Sequence, residues 1–438
     1  MRPTPDTPFH ILVAGDFTGG AGAARKAIPI DRDTFDAVMG ALAPSVEVAI
    51  GNVPLAVEFR EVDDFHPDRL FERLPPFSAM RALRARLSDP ATFAAAAAEM
   101  APAQGEPPAG TPSSSLAGLS GADVLNLMIG ETSAHEDPRP RSDFEQMVRD
   151  IVAPYAQPRP DPRQPELITQ IDRTITGLMR QVLHDARLQS LESNWRALHF
   201  LVHRLETGEN LKISILDLPH EEIVGEAGLA NIRRALAGEA RAVIAALYYF
   251  SPEDETILAR LSALARSARS PMIAGLARNV VGLTEVFADL RRSPDARSIA
   301  FALPRFLLRL PYGRDTSRIE SFEFEEMPDP IEHELYLWGH PAAACAYLLG
   351  ESFRRHGWAM RPGAIDTIDG LPLHVYKEDG ESKLKPCSEV LLTEDAATLL
   401  LDRGFMPLVW FKDTDRVRVL RFQSAAAPLA PLAGRWTK

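Results

Sequence analysis

The chain has 438 residues, a mass of 48.2 kDa and a formal net charge of −12, with 45% apolar and 25% charged side chains. That length exceeds what one hydrophobic core usually organises, so two or three domains are expected. The acidic balance leaves no electrostatic footprint for nucleic acid or an anionic membrane, which argues against both as partners.

The first seventeen residues (MRPTPDTPFHILVAGDF) lack a basic start followed by an apolar run and a small-residue cleavage site, so no signal peptide is read there. Apolar runs such as 244–250 fall far short of the roughly 20 residues a membrane helix needs. Cys345 and Cys387 form no CxxC pair, which signals neither a disulfide framework nor a thiolate metal site and points to a reducing compartment. A cytoplasmic protein without membrane insertion is expected.

Residues 9–14 (FHILVA) read as a buried strand, closed by Gly15-Asp16 and a turn rich in glycine at 19, 20 and 22. From Asp31 to Leu42 the pattern is helical, with Phe35, Val38, Met39 and Leu42 on one face. Val46–Ile50 and Leu55–Phe59 look like strands joined by Gly51-Asn52, and 67–87 is helical with an interruption at Pro75-Pro76. These make a small α/β unit of residues 1–100. Residues 101–166 read as a Pro-rich connector holding one short apolar island, 122–130 (ADVLNLMIG).

The second body, residues 167–438, opens with Leu167, Ile171, Ile175, Leu178, Met179, Val182 and Leu183 at helical spacing. A further helix carries Leu191, Trp195, Leu198, Val202 and Leu205, ended by Gly208 and Asn210 before the strand 211–216. Helix and strand continue to alternate through 245–250, 253–268 and 301–303, and residues 407–422 suggest a terminal hairpin turning at 413–415. Such alternation argues an α/β class, with mixed sheets flanked by helices.

Candidate chemistry is thin. Gly15 and Gly20 have the spacing of a P-loop, but Ala21 and Gly22 stand where Lys and Ser/Thr must hold the phosphates and Mg²⁺, so a structural turn is the better reading. His199, His203 and Glu206 share a helical stripe that could face a metal, yet HFLVH lacks the zincin glutamate, and an ordinary amphipathic face is favoured. Asp63-Asp64 and Glu325-Glu326 are adjacent carboxylates that point apart on helix or strand alike. The stretch 305–314 (RFLLRLPYGR) reads as buried packing with arginines paired to Glu323, Glu325 or Glu326. No GxSxG elbow and no catalytic cysteine signature occur, so no catalytic residue, cofactor or metal is assigned and a non-enzymatic protein is expected.

Several segments, in order, resemble the two subunits of the type VI secretion contractile sheath. Residues 9–17 (FHILVAGDF) and 59–71 (FREVDDFHPDRLF) are similar to the small subunit. Residues 184–217 resemble the large subunit's N-terminal domain, with its LE-x-x-WR-x-L pattern at Leu191, Glu192, Trp195, Arg196 and Leu198. The likeness continues through 301–325, Trp338-Gly339, Phe353, Gly357-Trp358 and 403–408, while 220–300 looks compressed.

The resemblance implies a fused, non-catalytic sheath-like component whose two halves pack as one body. Its implied partners are sheath, baseplate or tube components. Against the family pattern, the strand-donating arms are expected to be missing, since the ends carry Pro3, Pro5 and Pro8, and Pro428 and Pro431. That favours a docking, capping or assembly-assisting piece over a one-chain polymerising sheath or a sheath-derived adaptor. The resemblance further implies that Val124, Leu125, Met128 and Ile129 form a stripe that a hexameric recycling unfoldase could grip.

Overall fold

A computed structural model of the chain describes residues 3–20, 26–50, 53–100, 161–277 and 286–437. The first strand, β1 (Phe9–Gly15), is buried along its whole length. Its continuous apolar run suits a strand covered on both faces rather than one that faces water. It lies between β5 (Leu211–Asp217) and β6 (Val243–Phe250), parallel to both, in registers such as Phe9↔Leu211 and Ile11↔Val243. A strand from the first hundred residues is thus an interior strand of a sheet whose other strands come mainly from beyond residue 210.

Parallel pairing continues outward from β6 through β7 (Met272–Leu276), β8 (Ile299–Leu303) and β14 (Met406–Trp410). Beyond β14 the expected terminal hairpin appears as β15 (Val417–Val419), antiparallel to it, with Asp413 left-handed at the turn. The two-residue β11 (Thr367–Ile368) finishes that edge, and β2 (Ile28–Ile30), antiparallel to β5, finishes the other. The full order is β11-β15-β14-β8-β7-β6-β1-β5-β2, a nine-stranded mixed sheet. The α/β class read from the sequence is therefore the one observed.

Side chains of β1 alternate between the two faces. Phe9, Ile11 and Val13 join one apolar cluster, Leu12 and Ala14 the other. The first face is covered by α6 (Ala186–Arg204) through Trp195 and Leu198, and by α11 (Pro341–His356) through residues such as Cys345 and Leu349. The second is covered by α8 (Glu226–Gly238) and α9 (Glu255–Ala268), with Ile232, Leu258 and Leu261 inward.

The rest of the first hundred residues forms α1 (Phe35–Leu42), the hairpin β3 (Ser45–Ile50) with β4 (Val53–Glu58), and α2 (Pro67–Arg73), α3 (Pro75–Ser88) and α4 (Phe93–Glu99). The predicted helix 67–87 breaks at Leu74 because Pro75 starts a new helix at its first position, where a missing N–H costs nothing. Helix α3 packs along α5 (Gln164–Leu183), tied by an Arg84–Asp172 ion pair at 2.6 Å and by Gln164 Nε2 donating to Leu87 O at 2.7 Å. The six predicted apolar residues of α5 from Ile171 to Leu183 are all buried. Among the described residues no helix is long and apolar enough to cross a membrane.

Candidate functional site

The described sequence candidates for chemistry make the following contacts. At the glycine-rich turn, Asp16 Oδ1 accepts from Gly19 N and Gly20 N at 2.8 and 3.1 Å. Asp217, ending β5, accepts from Phe17 N at 2.8 Å, Thr18 N at 3.2 Å and Thr18 Oγ1 at 2.9 Å. The amides a phosphate would need already serve two carboxylates of the chain itself. Burial, with Asp217 nearby, raises the Asp16 carboxyl above its ordinary range.

His199 and His203 stack at 3.7 Å, and each meets Phe35 of α1 edge-on. They line a cavity of about 150 Å³ with Arg32, Asp36, Glu61 and Asp63, while Glu206 is exposed. Burial first, and His203 second, holds His199 down at about 4. Among the described residues no three His, Cys, Asp or Glu side chains group so as to hold a metal ion.

Asp64 accepts from Arg60 N at 2.6 Å and pairs with Arg73 at 2.8 Å. Asp68 accepts from Glu320 N and Ser321 N at 3.1 and 2.9 Å, so the FREVDDFHPD segment clamps the first hundred residues to the 320 loop. Burial pushes the Cys387 thiol up to about 12 and Cys345 higher still, which leaves both inert as nucleophiles. Val124, Leu125, Met128 and Ile129 lie outside the described residues.

What the sequence reading missed is a buried ionic cluster behind the LE-x-x-WR pattern. Glu192, fully buried on α6, accepts from Arg196 Nε at 2.6 Å and Arg309 Nε at 2.9 Å. Arg309 also donates to Glu326 at 2.7 Å, and Glu326 accepts from Tyr312 N at 2.7 Å. Glu326 was among the acidic partners expected for the 305–314 arginines, but Arg305 pairs instead with Glu389, through two bonds of 2.8 Å. Burial is the largest influence on Glu326 and works against its ionised form, yet the Arg309 charge, together with His184 and hydrogen bonds from Arg309 and the Tyr312 amide, overcomes it and holds the carboxyl at about 2. The neighbouring motif residues cross to the first hundred: Trp195 Nε1 donates to Phe17 O at 2.9 Å and Asn194 Nδ2 to Asp16 O at 2.9 Å.

Two concavities open at the carboxyl ends of the parallel strands, where α/β sheets commonly bind. One, of about 540 Å³, sits where the winding direction reverses between β1 and β6. Several of its polar groups are committed internally: Ser193 donates to Trp338 O at 2.8 Å and His340 Nε2 meets Tyr248 O at 2.9 Å. The other, of about 1080 Å³, is mainly apolar and lies beyond β6, β7 and β8. It is lined by Tyr249, Leu276, Leu303 and the exposed Val390 and Leu391.

Residues 3–100 match the family model described as Type VI secretion system, VipA, VC_A0107 or Hcp2. Residues 165–231 and 284–426 match EvpB/VC_A0108, tail sheath N-terminal domain. The type VI secretion system sheath protein TssC1 of Pseudomonas aeruginosa is 30% identical over 304 residues, covering 60% of this chain and 61% of that protein. The chain therefore spans about three fifths of the length of this relative. A solved anti-feeding prophage baseplate, 6-fold symmetrised, gives 16% identity over 55% of this chain and 52% of its own, with a TM-score of 0.32, too low to carry an argument.

Proposed function

The chain belongs to the type VI secretion sheath family, with a small-subunit-like and a large-subunit-like part on one polypeptide, and we propose that it serves there as a docking or assembly-assisting piece. It acts in the cytoplasm and contacts sheath, baseplate or tube components through its surface. Its family is structural, and none of the residue groups weighed above is arranged for catalysis.

The observation that carries this reading is how the nine-stranded sheet is finished at its two edges. A polymer built by strand exchange needs long unpaired edges. In the nine-stranded sheet the outermost strands, β2 and β11, have only three and two residues. These short edges support a piece that joins an assembly through side-chain surfaces.

Light scattering and negative-stain imaging of the purified chain, alone and mixed with the sheath subunits of its own system, test this. The expected result is a monomer or small closed oligomer alone at micromolar concentration, and association in the mixture. Spontaneous tubes of the pure chain would overturn the reading and restore that of a one-chain polymerising sheath.

A further inference from the structure

The groove beyond β6, β7 and β8 goes unused by the reading above, and its chemistry is specific. Its rim carries Val390 and Leu391, which are 48% and 62% exposed, and its wall is formed by Leu276 and Leu303. Aliphatic side chains held open to water beside a concavity of about 1080 Å³ mark a surface that gains by being covered. Arg305 beside it is already neutralised by Glu389.

Lys385 is different. It lines the same groove and is only 9% exposed, yet among the described residues no carboxylate lies within ion-pair distance of its ammonium. Its ammonium instead lies over the Tyr336 ring, with Nζ 4.9 Å from the centroid. Burial drives the ammonium below the ordinary lysine value, and Glu334 only partly offsets this. A cation kept nine-tenths from water without a hydrogen-bonded counter-charge is costly, and a carboxylate brought to it would relieve that cost.

We propose that this groove docks an aliphatic segment of a partner protein that carries one carboxylate, seated against Lys385. The aliphatic side chains fill the cleft between Leu276, Leu303 and Leu391, and the carboxylate sets the register. Charge complementarity selects the occupant: a basic segment would bring a second cation to Lys385, and a purely apolar one would leave it with only the partial offset of Glu334, which lines the same groove. The proposal stands on the groove alone and does not depend on which assembly the chain joins.

The test probes an array of 12-residue peptides, with Leu, Ile, Val or Ala at varied positions and one fixed Glu or Gln. The purified full chain, Lys385→Met and Leu391→Asp are applied in turn, with melting curves as a check on folding. Glu peptides are expected to retain the parent chain about ten-fold better than their Gln counterparts, as a buried charged hydrogen bond allows. Lys385→Met should erase that ratio. Leu391→Asp, at an exposed position where folding is not at stake, should weaken both sets. No Glu preference, a preference that survives Lys385→Met, or indifference to Leu391→Asp would each overturn the proposal. So would a Lys385-dependent uptake of oleate with no peptide bound, or Glu-peptide binding that emerges only once residues 118–135 are deleted, since the groove would then serve a fatty acid or the chain's own segment.

Discussion

Arg309→Met is the substitution whose cost the structure fixes most tightly. The guanidinium stands between two carboxylates, Glu192 and Glu326, which are both fully buried. Removing it strands Glu326 without its cation, whereas Glu192 keeps Arg196 at 2.6 Å. Breaking one side of a buried pair costs about 3 to 5 kcal/mol, because a charge is left in a medium that cannot solvate it. The Glu326 carboxyl gives an independent check. Its fall from 4.5 to about 2 is worth about 3 kcal/mol at neutral pH. Because the native carboxyl titrates below the unfolded one, this stabilisation is complete above pH 4.5 and drains away as pH falls towards 2. In a chain of this size such a loss lowers the melting temperature by about 5 °C. Thermal and urea unfolding of Arg309→Met, Glu326→Gln and the double variant would measure it. The double variant should be more stable than the sum of the two single losses predicts, by at least about 1 kcal/mol, since each charge is harmful mainly in the absence of the other. Strict additivity, or a single-variant loss under about 1 kcal/mol, would refute the reasoning.

Two further outcomes follow from local geometry. In Gly19→Ala the new Cβ would fall 1.9 Å from Ser45 O at a position with φ of +81°, so the turn must move; a loss of about 2 kcal/mol or more in urea melts is expected, and a neutral result would show that the turn can shift freely. His199 titrates near 4 in the native state against 6.5 unfolded, so the folded chain binds fewer protons between those values and stability falls as pH drops from 6.5 towards 4. His199→Gln should flatten that part of the stability–pH curve, and an unchanged slope would place the acid sensitivity elsewhere.

What the sequence disclosed depended on how local the cause was. β1 was legible because a six-residue stretch, apolar at every position but His10 and followed by Gly-Asp, has few alternatives to a covered strand. Helix α5 was legible from its single apolar stripe, and the β14–β15 hairpin from its polar turn. The hairpin of β12 (His374–Glu378) and β13 (Glu381–Lys385) went unread, although Asp379-Gly380, both with positive φ, is a strong two-residue turn signal. Its flanks are charged rather than alternately apolar, which masks the strand pattern. α11 escaped for the opposite reason: it is buried on nearly every side, so it shows no stripe.

The functional surfaces were illegible on different grounds. Glu192 and Arg309 are separated by 117 residues in the chain, and nothing in either segment names the other. The docking groove draws on strand ends from Tyr249 to Leu303 and on a loop near residue 390, so it exists only once the parallel order β8-β7-β6 is set. The same order explains why both family parts sit on one chain without two separate cores. With β1 hydrogen-bonded between β5 and β6, the first hundred residues supply an interior strand, and the sheet is incomplete without them. A covalent connection replaces association at a protein concentration by closure of a loop, whose cost grows only slowly with length.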